Sequence, residues 1–471
     1  MMETSRLLLA LTLTWLPGCV WVARLVPKGA SGRSYLVAGY GLLAGLIVVP
    51  LIMRGLSASS IPFSFASIGL LAALLLLAGW LLPNQWRAGN PAQPATTAPA
   101  TPGNPWATLL ICICAALIVA RLATLGLEVA LRPIYAWDGK QHWAKQARVF
   151  FEAGSVALYV PFEEWLRLGD PKVYTTVHPD YPITVPLLQV WANIAIGEWH
   201  DSLMNLPWVL CYLALGLIFF GQLRAIGASN ALAIAPTYML LSIPYLDTQV
   251  ALAGYADIFM ATCFLAAVAA FYHWTRNRSA GQAILAIFFA FSCLLLKNEG
   301  LFWLLSFAPG LLLILLGVGR GVVSLAALFL LLLLCLWLMP RDLAIAGQSL
   351  ATIDLRYRPE SWASIYRNFL VADNWHLLSY MVIALLPATA TLARPALHRV
   401  APVAAVVGSA FVLFLALYLY TRHSVGAVSN TSINRVALQL VPAIGFLATV
   451  VFLQLARGGR AAGDSRPAPG R

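Results

Sequence analysis

Uncharged apolar runs long enough to cross a bilayer recur along the whole 471-residue chain. The runs 35–53, 63–82, 321–340 and 402–421 each hold about 18 or more residues free of Asp, Glu, Lys and Arg, enough to span a hydrocarbon core about 30 Å thick. In that solvent every backbone N–H and C=O must bond internally, which restricts the chain to helices or a closed barrel, and runs of this length select helices. Only 10% of the residues are charged and 61% are hydrophobic. A soluble domain carries about 25% charged residues, so a soluble enzyme is excluded, as are a secreted disulfide scaffold and a disordered chain. The seven cysteines lie in or beside apolar runs and read as small buried hydrophobes. Cys112 and Cys114 are spaced too closely for a C-x-x-C metal or redox motif.

The fold class expected is an all-α polytopic membrane protein with about thirteen transmembrane helices, at 7–26, 35–53, 63–83, 106–127, 203–223, 229–246, 255–274, 281–296, 301–319, 321–340, 376–393, 400–421 and 436–456. A further apolar helix at 183–197 is short for a crossing. Leu16-Pro17-Gly18-Cys19 resembles a lipoprotein cleavage box, but Pro17 fits it poorly and the apolar character runs on to Val26, so the first run is read as a membrane helix. A Pro/Ala/Thr-rich linker, 90–105, separates three leading helices (1–105) from a module at 106–456, and 457–471 form a tail.

Lys and Arg in short loops mark the cytoplasmic side. One alternating set of connections holds Arg24, Lys28, Arg33, Arg87, Arg224, Arg276, Arg278, Arg320, Arg394 and Arg399, and the tail adds Arg457, Arg460, Arg466 and Arg471 with a single acid, Asp464. That accounts for much of the net charge of +12 without invoking nucleic acid. The opposite, outer face receives the loop 133–182, the turn 247–257, the turn 297–300, the loop 341–375 and the segment 422–435, and with them nearly all the acids. Acids and aromatics massed on one face read as a site.

The loop 134–182 carries Asp138, Glu152, Glu163, Glu164, Asp170 and Asp180 among Trp137, Trp143, Tyr159, Trp165, Tyr174 and Tyr181. Helical spacing over 137–154 puts His142, Lys145 and Val149 on one side with Trp143, Ala147 and Phe150 beside them, as in a helix lying on the membrane surface. Asp138 at its start reads either as an N-cap or as a functional carboxylate. The segment His178-Pro179-Asp180-Tyr181-Pro182 is a rigid entry turn into 183–197 or a carrier for a functional Asp180. Asp257 follows Gly254 at the edge of an apolar run, where an ionisable group is expensive and function is the default expectation. Lys297 and Glu299 interrupt the apolar run 283–318; they either pair or snorkel, or meet an anionic headgroup. Arg435 opens the last span as an anchor or a phosphate ligand. No Walker A, dinucleotide glycine fingerprint, H-E-x-x-H or G-x-S-x-G is present.

Five segments in this order resemble the GT-C-fold glycosyltransferases, nearest in flavour to the protein O-mannosyltransferases and the lipid A aminoarabinose transferases. They are WDGKQHWAKQARVFFEAG (137–154), HPDYPITVPLLQVW (178–191), GYADIFMATCFLAAVAAF (254–271), LKNEGLFW (296–303) and NRVALQLVP (434–442). The resemblance covers about 106–456. It implies sugar transfer on the outer face of a bacterial inner membrane, from a polyprenyl-phosphate sugar to a lipid or glycan acceptor. Asp138 matches the family's first-loop base, and Asp257 its second acidic position, which orients the acceptor or holds a divalent metal. Lys297 and Arg435 would neutralise the leaving phosphate, and the first-loop residues His142, Lys145, His178, Asp180 and Tyr181, together with Glu299, would bind substrate. Asp138 is followed by Gly rather than a second acid, which leaves metal use open. No large soluble domain follows the last helices, which disfavours a peptide acceptor. Two other classes fit parts of the pattern: a flippase or transporter of a lipid-linked anion, and a lipid-linked glycan ligase using Arg356, Arg358, Arg367 and His376.

Overall fold

The computed structural model describes residues 2–82, 104–338, 344–345, 348–349, 354–392 and 394–464. The linker 90–105 falls almost wholly outside them, as do Arg87, Arg341, Arg466 and Arg471. The chain is an all-α integral membrane protein: seven described helices are long and apolar enough to cross a membrane. Seven more apolar helices have only 10–17 residues, one of them the doubtful Thr184–Ile196. The other six coincide with expected spans, so length certifies seven crossings rather than thirteen. The only strands among the described residues are two short pairs, Leu158–Val160 parallel to Val173–Thr175 and Ala344–Ile345 antiparallel to Gln348–Ser349.

The fold divides into two units, 1–242 with 246–270 and 278–301, and 243–245 with 271–277 and 302–471. The first unit opens with α1 (Met2–Leu25), α2 (Arg33–Ala58), α3 (Phe65–Leu81) and α4 (Pro105–Leu131). Small residues bring α1 and α2 together. A Cβ on Gly18 would lie 2.0 Å from the Gly41 carbonyl oxygen, and one on Gly45 would lie 1.7 Å from that of Thr14. Close backbone approach of this kind replaces the hydrophobic effect, which cannot drive helices together in lipid. Gly18 and Cys19, the residues of the cleavage-box resemblance, are therefore part of a helix contact.

After α4 come α5 (Ala144–Ala153), α6 (Phe162–Leu168) and α7 (Thr184–Ile196), then α8 (Leu206–Ala225), α9 (Asn230–Leu241), α10 (Pro244–Leu252), α11 (Asp257–Asn277) and α12 (Ala280–Ser292). The expected span 229–246 is broken: α9 stops at Leu241, and α10 begins at Pro244, where the ring removes a backbone donor. The basic ends of the unit gather. Gly32, ahead of α2, lies against Arg224, and Gly281 on α12 lies against the Leu25 carbonyl. At the opposite ends Phe63 N–H donates to the Gly154 carbonyl and Val156 N–H to Ser57 Oγ, tying the leading helices to the first loop.

Of the cysteines, Cys114, Cys211, Cys263 and Cys293 are buried, Cys19 is half-buried and Cys112 is exposed, which corrects the expectation for that one. The side chain of Cys335 is outside the described set. The second unit holds Phe307–Leu316, Val318–Leu338, Leu378–Ala388, Arg394–Tyr420 and Ile433–Asp464. Its last helix is fixed near its start by Trp303 Nε1 donating to Gln439 Oε1 at 2.6 Å and by Asn368, which bonds both Trp375 and Asn434.

Candidate functional site

The first-loop helix does not begin as a regular α-helix. Residues 139–143 form a wide π turn before α5, and such turns shift the phase of the faces that follow. His142, Trp143, Gln146, Ala147 and Phe150 are buried, while Lys145, Arg148 and Glu152 are exposed. The expected face that joined His142 to Lys145 is thus split, and the helix packs on α7 within a core that includes Leu187 and Trp191. Asp138 has helical backbone angles and makes no side-chain capping bond, so the N-cap reading fails.

What lies beside Asp138 is a second loop. A Cβ on Gly139 would come within 2.8 Å of the Gly254 Cα, and one on Gly254 within 2.9 Å of the Gly139 Cα. Only glycine permits this backbone-to-backbone contact at both positions. It sets the Asp138 segment against the turn 253–256 that leads into α11. That turn is held by Trp208 Nε1 donating to the Tyr255 carbonyl at 2.9 Å.

Asp257 starts α11 with its side chain fully buried, where unpaired N–H groups of the first turn favour a carboxylate. Lys297 Nζ lies 3.0 Å from Asp257 Oδ1 and 2.9 Å from Glu299 Oε1, and its own side chain is 4% exposed. Of the open readings for Lys297 and Glu299, the pairing is therefore present, with Asp257 added to it. One lysine facing two carboxylates leaves these three groups with a formal charge of −1. Next in sequence, Asn298 Nδ2 donates to Asp180 Oδ2 at 2.5 Å, which joins the entry turn to the same loop.

Aromatic rings line the turn. His178 stacks on Tyr181 at 4.7 Å, Tyr181 stacks on Trp143 at 5.7 Å, and His142 stands edge-on to Tyr181 at 5.3 Å. His142 Nδ1 is 2.9 Å from Thr176 Oγ1, and Lys145 Nζ donates to the Thr175 carbonyl at 3.3 Å. Burial pushes the Tyr159 phenol above its ordinary range, with Tyr174 adding to the shift, so Tyr159 stays protonated and packs against Phe150.

One structure therefore brings together Asp138, His142, His178, Asp180, Tyr181, Asp257, Lys297 and Glu299, with Lys145 at the rim. Arg435 belongs to the second unit, in the first turn of Ile433–Asp464, half-buried. There Arg358 pairs with Asp354, and His376 Nδ1 is 3.5 Å from Asp373. Among the described residues no three His, Cys, Asp or Glu side chains converge as metal ligands. Asp257 already faces Lys297, so this donor set does not suit a divalent cation and no step is routed through one.

Sequence reasoning passed over Arg121, inside the expected span 106–127. It pairs with Asp247, which also accepts from the Tyr212 hydroxyl at 3.2 Å. A lone charge in an apolar run was the available signal. It also passed over Gly139, Gly254 and Asn298, whose roles depend on partners more than a hundred residues away.

Compared with protein-family models, with curated proteins and with solved structures, the chain matches none.

Proposed function

We propose that this membrane protein is a glycosyltransferase of GT-C type that moves a sugar from a polyprenyl-phosphate donor to a lipid or glycan acceptor. In this reading the chain crosses a bacterial inner membrane thirteen times, with the first loop on the periplasmic face and the tail in the cytoplasm. The observation that carries it is the Gly139–Gly254 contact, which puts the segment of the first-loop carboxylate against the one leading to Asp257.

The chemistry assigned to these residues is an inverting displacement. The acceptor oxygen attacks the anomeric carbon as Asp138 takes its proton, and the bond from that carbon to the phosphate oxygen breaks, releasing polyprenyl phosphate. Asp138 fits the base because it stands half-buried at the start of the first-loop helix, beside the turn that leads to Asp257. The buried lysine at the centre of the Asp257–Lys297–Glu299 cluster holds the second acidic position in place. The exposed His178 ring, stacked on Tyr181, offers a face for sugar.

The test is release of polyprenyl phosphate from a panel of radiolabelled polyprenyl-phosphate sugars in proteoliposomes, wild type against Asp138→Asn. Loss of turnover by about 10²- to 10⁴-fold with donor binding retained is expected for a general base. Intact donor crossing the bilayer, equally in wild type and variant, would replace the transferase with a flippase.

A further inference from the structure

The three leading helices lie outside the stretch of chain that the proposed reading uses, yet they build an apolar cleft of their own. It lies between α1, α2, α3 and α12 and has a volume of about 280 Å³, near the lower bound of about 300 Å³ for small-ligand sites. Val22, Leu25, Val48, Ile52, Leu75 and Phe288 are among its lining. On α1 the lining runs from Leu13 to Leu25, about 18 Å of helix rise. Its two polar contributors are spent: Thr14 Oγ1 donates to the Ala10 carbonyl, and Trp21 Nε1 donates to the Leu75 carbonyl. In a bilayer an apolar cleft fills with any hydrocarbon chain, because lipid tails are as apolar as its walls. Selectivity has to come from a polar group at one end.

Such a group is present. The last lining residue on α2 is Ile52, and Arg54 follows two positions later. Arg54 Nη2 reaches Thr184 Oγ1 at 3.5 Å, and Thr184 Oγ1 in turn donates to the carbonyl of Leu295, just beyond the end of α12. Two walls of the cleft, α2 and α12, are thus bridged at the end where Lys297 follows Leu295. Arg54 is half-buried, its Nε has no hydrogen-bond partner, and no described carboxylate lies within 4.0 Å of it. An arginine at the edge of the apolar phase without a counter-ion is expensive, whereas its forked donors suit a phosphate. Lys297 cannot stand in for it, because two carboxylates already face that lysine.

We infer that the leading helices berth the lipid of a polyprenyl phosphate: its single chain lies in the α1–α2–α3–α12 cleft and its phosphate meets Arg54. One narrow cleft and one cation match a lipid with one chain and one phosphate. The inference rests on the proposed donor class but not on the transfer step.

The experiment is binding of unsugared polyprenyl phosphate, uncharged polyprenol and two-chain phosphatidic acid to the full chain in nanodiscs, measured by native mass spectrometry. Wild type is expected to hold polyprenyl phosphate at least tenfold more tightly than either comparison lipid. Arg54→Gln should lose about tenfold for polyprenyl phosphate and nothing for polyprenol, while Arg54→Lys should keep most of the binding. Val48→Trp, which fills the cleft, should weaken polyprenyl phosphate and polyprenol alike. An unchanged Arg54→Gln, an unchanged Val48→Trp, or equal binding of phosphatidic acid by wild type would each overturn the inference. Binding as described in a protein that turns over no sugar donor would leave the berth standing and remove the transferase.

Discussion

Two acid–base constellations within the first unit invite comparison. Asp247 on α10 meets Arg121 on α4 and the hydroxyl of Tyr212 on α8: one negative charge, one positive charge and a neutral donor. Asp257 on α11 meets Lys297, which also meets Glu299: two negative charges and one positive charge. Both are costly to remove from water. The first is balanced and joins three helices, which is what a purely structural pair requires. The second is more deeply buried and lies on two connections, one carrying Asn298, which bonds Asp180, and the other the contact with the Asp138 segment. A pair that only joins helices marks architecture, whereas buried charges gathered on connections from distant parts of the chain mark the stronger candidate for chemistry.

The sharpest break in that comparison is Lys297→Met. It removes the cation from a fully buried Asp257 carboxylate, and removing one partner of a buried pair costs about 3–5 kcal/mol. Thermal unfolding in detergent should fall steeply, and the double variant Lys297→Met with Asp257→Leu should recover most of the loss while remaining inactive. Recovery of activity along with stability would make the second constellation as structural as the first.

A smaller effect, confined to function, is expected of Gly139→Ala. The new methyl forces Gly254 and its turn away, and a misplacement of about 1 Å is enough to cost about 100-fold in turnover. Stability should change far less than with Lys297→Met. Full activity in this variant would mean that the two loops do not need their contact.

The smallest change is expected of Arg121→Leu. Asp247 keeps the Tyr212 hydroxyl as a donor and is less buried than Asp257, so the loss should be about 1–3 kcal/mol. Adding Asp247→Leu should bring unfolding back to near wild type with turnover kept. Loss of turnover in that double variant would promote the balanced pair to part of the site.

How much of this was legible depended on sequence distance. Every expected span contains an apolar helix because a charge-free run in lipid has no other way to satisfy its backbone. The placement of Asp257, and of Lys297 beside Glu299, was readable because ionisable residues at apolar edges announce themselves. The faces of 137–154 were misjudged because the π turn at 139–143 adds phase that a 3.6-residue period cannot anticipate. The break at 242–243 was hidden because Pro244 sits in a run that stays apolar on both sides. Arg54 and Arg121 gave no local hint of their different fates. One is resolved by a carboxylate on a distant helix and the other is not, and no window of sequence contains both halves of that question.

The contact between Gly139 and Gly254 also has a temporal meaning. About 115 residues, among them α7 through α10, must be synthesised and inserted before its second half exists, and the Asp180–Asn298 bond needs a further stretch beyond that. Chains emerge from the ribosome at about 5–20 residues per second, so the first loop waits several seconds with its carboxylate unmatched. These loop contacts are therefore completed only once α12 and the loop after it are in place.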